Sequence, residues 1–298
     1  DIPARQAFRH HRAGGAVRMS SPPRIAIALG ASFMGYATHA GFLARLHALG
    51  VRPVAVSGSS AGAITAGLYA SGLEQEVIRQ AVLSPRLHLS FAMRTRWLWH
   101  QLISSFFCPH PGLFDPRGAI SHFESVVGKR TIESLSDPRL LIALSDLSKQ
   151  ETLFVRSGPL ATAMAASSCV PMLFTPLEFE NRMCTDGGVA HESPIDPWFT
   201  DDDIDHIIIH RIDQPRGKPP LMPLSRLMAT IAATHASMNR QILNDRIELA
   251  RLHGKKLTII TTNHSRPSPF FPGRLKQCYE LGDVTGQKLF DAELSSHV

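Results

Sequence analysis

PVAVSGSSAGAITAGLYASG, residues 53–72, carries the reading of the fold. An apolar, β-branched run leads into Gly58-Ser59-Ser60-Ala61-Gly62, which has the spacing G-x-S-x-G. Small residues and helix formers then continue from Ala61 to Ala70, with Gly72 as a stop. Strand, sharp turn and helix in that order are the setting in which such a serine becomes an exposed nucleophile. The glycines have a steric reason, since the turn brings positions 58 and 62 close enough for a Cβ to clash. Ser60 would then open the helix, where the dipole favours an alkoxide or oxyanion. The competing reading is an N-cap serine at a close strand–helix junction.

Working outward, RIAIALG (residues 24–30) reads as a buried strand ending at Gly30. Phe42, Leu43, Leu46 and Leu49 follow at helical spacing up to Gly50, and Val51 to Val56 reads as a second strand. This alternation predicts a parallel sheet with helical crossovers. Further along, helices are expected at Ala119–Val127, Leu160–Ala166 and over most of Leu221–Leu252. Strands are expected at Leu140–Leu144, with Glu151–Val155 as hairpin partner, and at Ile204–Ile209 and Lys256–Thr262. Met183 to Thr185 leads into the turn signal Asp186-Gly187-Gly188. No repeat or linker interrupts this order, so residues 23–298 are expected to form one domain. Residues 1–22 read as a flexible basic arm, with Met19 as a candidate natural start.

Composition narrows the class. Of 298 residues, 44% are hydrophobic and 19% charged, which is ordinary for a globular chain. The formal charge is +6, and half of it comes from four arginines against one aspartate in the first eighteen residues. The body is too mildly basic for a nucleic-acid protein. Weak attraction to anionic headgroups fits the same balance. No apolar run is long enough to span a bilayer and no signal peptide is visible. The four cysteines form no CxxC pair, and Cys169 and Cys184 read as core thiols in a reducing, cytoplasmic setting.

A nucleophilic serine needs a base. By chain order His235, His253 and His264 could serve, as in a histidine-dependent hydrolase. Asp186, at a strand end with two glycines after it, is the other candidate. An oxyanion hole is also required, and Gly30-Ala31-Ser32-Phe33-Met34-Gly35 can aim successive N–H groups at an anion. No G-x-G-x-x-G occurs there, so the loop is a poor dinucleotide site. His206 and His210 in HIIIH read as core histidines, and Asp201 to Asp205 as a solvated loop without EF-hand spacing.

These pieces, in this order, resemble the patatin-like phospholipase family. LGASFMGYATHAGFLARLHALGV is similar to the family's first loop and helix, and VSGSSAGAITAGLYASGL to its nucleophile segment. PGLFDPRGAISHFESVVG and TIESLSDPRLLIALSDL resemble its middle. GPLATAMAASSCVPMLFTPLEF and CTDGGVAHESPIDP resemble its aspartate segment. The resemblance covers residues 24 to about 212 and implies a three-layer α/β fold, a mostly parallel central sheet with helices on both faces. It implies a lipid acyl hydrolase with a Ser60–Asp186 dyad, no catalytic histidine, and neither metal nor cofactor. Gly30, Ala31, Ser32, Phe33 and Ala61 would supply the oxyanion hole, Gly58 and Gly62 the nucleophile elbow, and Gly187 and Gly188 the aspartate motif. The chain departs from the family where Ala31 and Ser32 replace glycines and Met34 replaces a basic residue. It departs again where His191, Glu192 and Ser193 precede Pro194 in place of the usual Asn.

The expected partner is a lipid or fatty-acyl ester, met in transient contact with a membrane surface. Trp97, Trp99, Phe106 and Phe107, beside Arg94 and Arg96, suit a headgroup zone or a packed helix equally. Two rival functions share the fold: a non-catalytic lipid-binding or regulatory protein, and an acyltransferase.

Overall fold

The computed structural model describes residues 23–91, 112–214, 223–265, 267 and 272–295. The basic arm, the Trp97–Phe107 aromatic cluster with its arginines, Cys108 and the His235 side chain lie outside the described residues.

An eight-stranded sheet carries the described chain. Its strands are β1 (Ile25–Leu29), β2 (Ala55–Gly58), β4 (Arg139–Asp146), β5 (Glu151–Val155), β7 (Leu177–Phe179), β8 (Arg182–Asp186), β9 (His206–Asp213) and β10 (Lys256–Asn263). The spatial order is β10-β9-β1-β2-β4-β8-β7, and β5 pairs with β4 off this path. The five strands from β10 to β4 are parallel, whereas β5, β8 and β7 join antiparallel. Two further short strands, β3 (Gly112–Phe114) and β6 (Met172–Phe174), pair with each other.

The inner parallel strands β9, β1, β2 and β4 are buried on both faces over most of their length, as their apolar runs require, whereas the edge strand β10 is largely half-buried or exposed. Ile25, Ile27 and Leu29 of β1 join one core, and Ala26 and Ala28 join the other. The first core is covered by α1 (Tyr36–Ala48), α2 (Ala61–Ala70), α3 (Gln75–Leu83), α5 (Arg117–Val127), α6 (Leu160–Ser167) and α8 (Leu275–Leu289). α4 (Pro85–Ser90) packs beside α5. The second core is closed by Leu243 and Ala250 of α7 (Pro223–Leu252) and by Ile195, Trp198, Phe199 and Ile204. The result is the expected α/β sandwich of helix, sheet and helix.

Some boundaries differ from the sequence expectation. β2 starts at Ala55, not Val51, because Val51 N–H caps α1 through Leu46 O and Pro53 has no N–H for a ladder. β9 starts at His206, because Ile204 N–H is held in a turn by Asp201 O. The acidic loop before it is a set of ion pairs: Asp203 and Asp205 bind Arg24, and Asp201 binds Arg139. α8 was not expected at all, since Gly282 and Gly286 break its apolar pattern.

Candidate functional site

Strand register brings Ser60 and Asp186 together. Gly58 is opposite Ile142 of β4, so Ser60, two residues on, stands near the height of Leu144. Leu144 is in turn paired with Asp186 on the other side of β4. Ser60 Oγ–H donates to Asp186 Oδ2 at 2.6 Å, and both residues are buried. The other carboxylate oxygen, Oδ1, accepts Gly188 N–H at 2.7 Å, which fixes the rotation of the carboxylate.

The turn that presents Ser60 is strained. Ser60 has φ 54° and ψ −122°, a conformation that non-glycine residues seldom adopt. It is held from several sides. Ser60 N–H donates to Ser167 Oγ at 2.9 Å, and Ser167 Oγ–H donates to Ala143 O at 2.8 Å. Ser59 Oγ–H donates to His191 O at 2.6 Å. The flanking glycines are required by contact: a Cβ on Gly58 would lie 2.3 Å from Gly62 C, and one on Gly62 would lie 2.1 Å from Leu29 O. Gly187 and Gly188 face similar limits, with Ala143 O at 2.0 Å and Ala31 Cβ at 2.5 Å from an added Cβ.

Not every amide of the Gly30–Gly35 loop is available to an anion. Gly30 N–H donates to His210 O at 3.0 Å, and Ala31 N–H to Glu192 O at 2.8 Å. Gly30 and Ala31, expected among the oxyanion donors, thus have their N–H groups engaged within the protein. Ser32 N–H and Ala61 N–H, the latter the first of α2, make no backbone bond among those of the described residues. Phe33 O accepts from Gln214 Nε2 at 2.8 Å. Met34 takes the left-handed conformation, φ 56°, and packs against the main core.

Sequence reading missed the supporting hydroxyls and carbonyls. Ser167 and Ser145 are the clearest: Ser145 Oγ–H donates to Asp186 O at 2.8 Å and accepts from Ala190 N–H. A serine in a small-residue helix such as LATAMAASS gives no signal of this role until its partner is known. The segment 191–194 also fastens the site, through Glu192 O to Ala31, His191 O to Ser59, and Pro194 O to Ser57. His191 lies fully buried 3.1 Å from Asp196. Burial holds the imidazole below its usual pKa despite that neighbour. Asp196 is held low because His191 and Arg246 outweigh its own burial.

The two late histidine candidates with described side chains make other contacts. His264 Nε2 is 2.9 Å from Thr38 Oγ1, and His253 stacks on Phe199 with centroids 5.9 Å apart. His206 and His210 are buried against Thr258 and Thr262. Cys169, Cys184 and Cys278 are buried free thiols, and burial raises the pKa of Cys184 to about 11. Among the described residues no group of three His, Cys, Asp or Glu side chains could hold a metal ion, and no helix is long and apolar enough to cross a membrane.

The chain is similar to several known proteins. Uncharacterized NTE family proteins of Mycobacterium bovis and Mycobacterium tuberculosis are 31% identical over 182 residues, 61% of this chain and 47% of theirs. The chain thus spans about half the length of the curated relatives it matches. The crystal structure of VipD from Legionella pneumophila superposes with a TM-score of 0.50 at 14% identity, covering 93% of this chain and 67% of that one. That likeness is one of fold alone. The description patatin-like phospholipase matches residues 27–198, from β1 through the elbow and the aspartate turn, and on this match the chain belongs to the patatin-like phospholipase family.

Proposed function

We propose that this protein is a lipid acyl hydrolase that works through a Ser60–Asp186 dyad and an acyl-enzyme. The observation that carries the reading is the 2.6 Å hydrogen bond from Ser60 Oγ to Asp186 Oδ2 at a strained strand–helix turn. Asp186 accepts the hydroxyl proton as Ser60 attacks the ester carbonyl carbon. The tetrahedral intermediate collapses, the alcohol leaves with that proton, and Ser60 stays acylated. Asp186 then takes a proton from water, whose oxygen attacks the acyl carbon; the Ser60 Oγ–acyl bond breaks, Asp186 returns the proton to Ser60 Oγ, and the fatty acid leaves. The developing oxyanion is met by the N–H of Ala61, at the positive end of α2, and by the loop amide of Ser32. Unengaged donors held in a preorganised turn cost little reorganisation at the moment of reaction.

The family supports a lipid ester as substrate. Exposed Val189, three residues past Asp186, suits transient contact with a membrane surface, as does exposed Met238 beside the Asn239 that donates to Gly188 O. Residues 23–298 are taken to act as one domain, because the sheet that holds the dyad draws strands from both ends of this range.

Turnover of a soluble p-nitrophenyl ester and of phospholipid vesicles tests the reading. Wild-type protein is expected to release fatty acid from both, and Ser60→Ala from neither. A folded wild-type protein that hydrolyses no ester would leave the lipid-binding alternative. Transfer of the acyl group to added alcohol in preference to water would identify an acyltransferase.

A further inference from the structure

Behind the Gly30 loop lies a buried polar chain that the dyad does not use. His39 Nε2 is 2.9 Å from Gly30 O, and His39 Nδ1 is 3.0 Å from His210 Nδ1. His210 Nε2 is 2.9 Å from Thr262 Oγ1, which is 2.7 Å from Thr285 Oγ1. Both imidazoles have no exposed surface, and His210 also stacks on Phe42 with centroids 4.0 Å apart.

The direction of this chain follows from its end. A carbonyl oxygen only accepts, so His39 Nε2 carries hydrogen. A neutral imidazole has one N–H, so His39 Nδ1 is bare and must accept from His210 Nδ1–H. His210 Nε2 is then bare and accepts the Thr262 hydroxyl. Thr285 Oγ1 also lies 2.9 Å from Leu281 O, one turn back in α8. That carbonyl already accepts the helical N–H of Thr285, whereas Thr262, its hydrogen given to His210, has only Thr285 to fill the 2.7 Å contact, so Thr285 O–H turns to Thr262. A doubly protonated ring would break this logic, but burial keeps both neutral: His39 is pushed down to about 3 and His210 well below its usual pKa.

We propose that His39 is a positioning residue for the Gly30 loop, clamping the Gly30 carbonyl through Nε2–H in a directed chain anchored on β9, β10 and α8. The peptide Gly30–Ala31 is then fixed at both ends, its carbonyl by His39 and its N–H by Glu192 O. That fixes where the next free amide, Ser32 N–H, points. The role rests on the hydrolase reading above, while the clamp itself does not. The anchor lies beyond residue 198, so it gives the last third of the chain a part in the site.

Two measurements test this separately. Long-range ¹H–¹⁵N spectra of the whole labelled chain, assigned with His39→Gln and His210→Gln, report each tautomer without any need for turnover. The expected result is neutral Nε2–H at His39 and neutral Nδ1–H at His210; Nδ1–H at His39, or either ring doubly protonated at pH 7.5, overturns the clamp. Steady-state kinetics on a p-nitrophenyl ester read the positioning. His39→Gln, whose amide can still donate to Gly30 O, is expected to keep kcat within about threefold. His39→Phe is expected to lose about tenfold to a hundredfold in kcat with KM nearly unchanged. Wild-type kcat in a folded His39→Phe variant, or equal losses in the Gln and Phe variants, overturns the positioning role. Should the Phe variant not fold, His39→Leu takes its place, with the same loss of kcat expected and wild-type kcat overturning the role. A wild-type protein without ester turnover fails the hydrolase reading and leaves the tautomers to decide the clamp.

Discussion

Ser60 needs its carboxylate in one place and one rotation, and each part of that need has a named partner. Gly188 N–H fixes the rotation of Asp186, and Ser145 Oγ fixes its backbone. Asp186→Asn retains size but loses the proton acceptor. It is expected to lower kcat by about 10²–10⁴-fold in a folded protein, read by ester turnover. Ser167→Ala removes the acceptor of Ser60 N–H and the donor to Ala143 O, both buried. It is expected to cost about 1–3 kcal/mol, read by denaturant unfolding, with a loss of kcat as the elbow relaxes. The motif around Ser60 and the turn at Asp186 were legible because glycines at close contacts leave a fixed spacing in the chain. Ser145 and Ser167 were not, because their partners are backbone atoms more than twenty residues away.

At the scale of elements, the elbow and one helix crossing depend on glycine for contact distance. A Cβ on Gly282 of α8 would lie 1.9 Å from Thr38 O, and one on Gly41 of α1 would lie 2.0 Å from Tyr279 O. The two helices therefore cross backbone against backbone, with Arg45 bound to Asp283 at 2.6 Å beside the crossing. Gly282→Ala must separate them and is expected to destabilise by about 1–3 kcal/mol, with Arg45→Ala costing less because that pair is half exposed. Unfolding midpoints in guanidinium compare the two. The apolar runs of β1, β4 and β9 could be read from the sequence, because strands buried on both faces leave unbroken hydrophobic stretches. The α8 crossing could not. Its glycines lower helix propensity, and only a partner helix supplies the reason for them.

In the whole molecule, buried neutral histidines couple folding to acidity. His39, His191 and His210 are all held below their usual pKa, chiefly by burial. The unfolded chain takes up protons at these sites below about pH 6.5. Folded His39 does so only near pH 3. Their contribution is thus fully present above about pH 6.5 and is lost as pH falls towards 3. Unfolding free energy is expected to drop over that range, and His39→Gln to flatten the slope. Equal slopes in the two proteins would contradict the assignment. The account as a whole depends on covalent chemistry at one hydroxyl, and intact mass followed by peptide mapping after fluorophosphonate treatment measures that most directly. It predicts one phosphonyl adduct per chain on Ser60, no adduct in Ser60→Ala, and much slower labelling in folded Asp186→Asn. An unlabelled folded wild-type protein, or labelling at full rate without the Asp186 carboxylate, would contradict it.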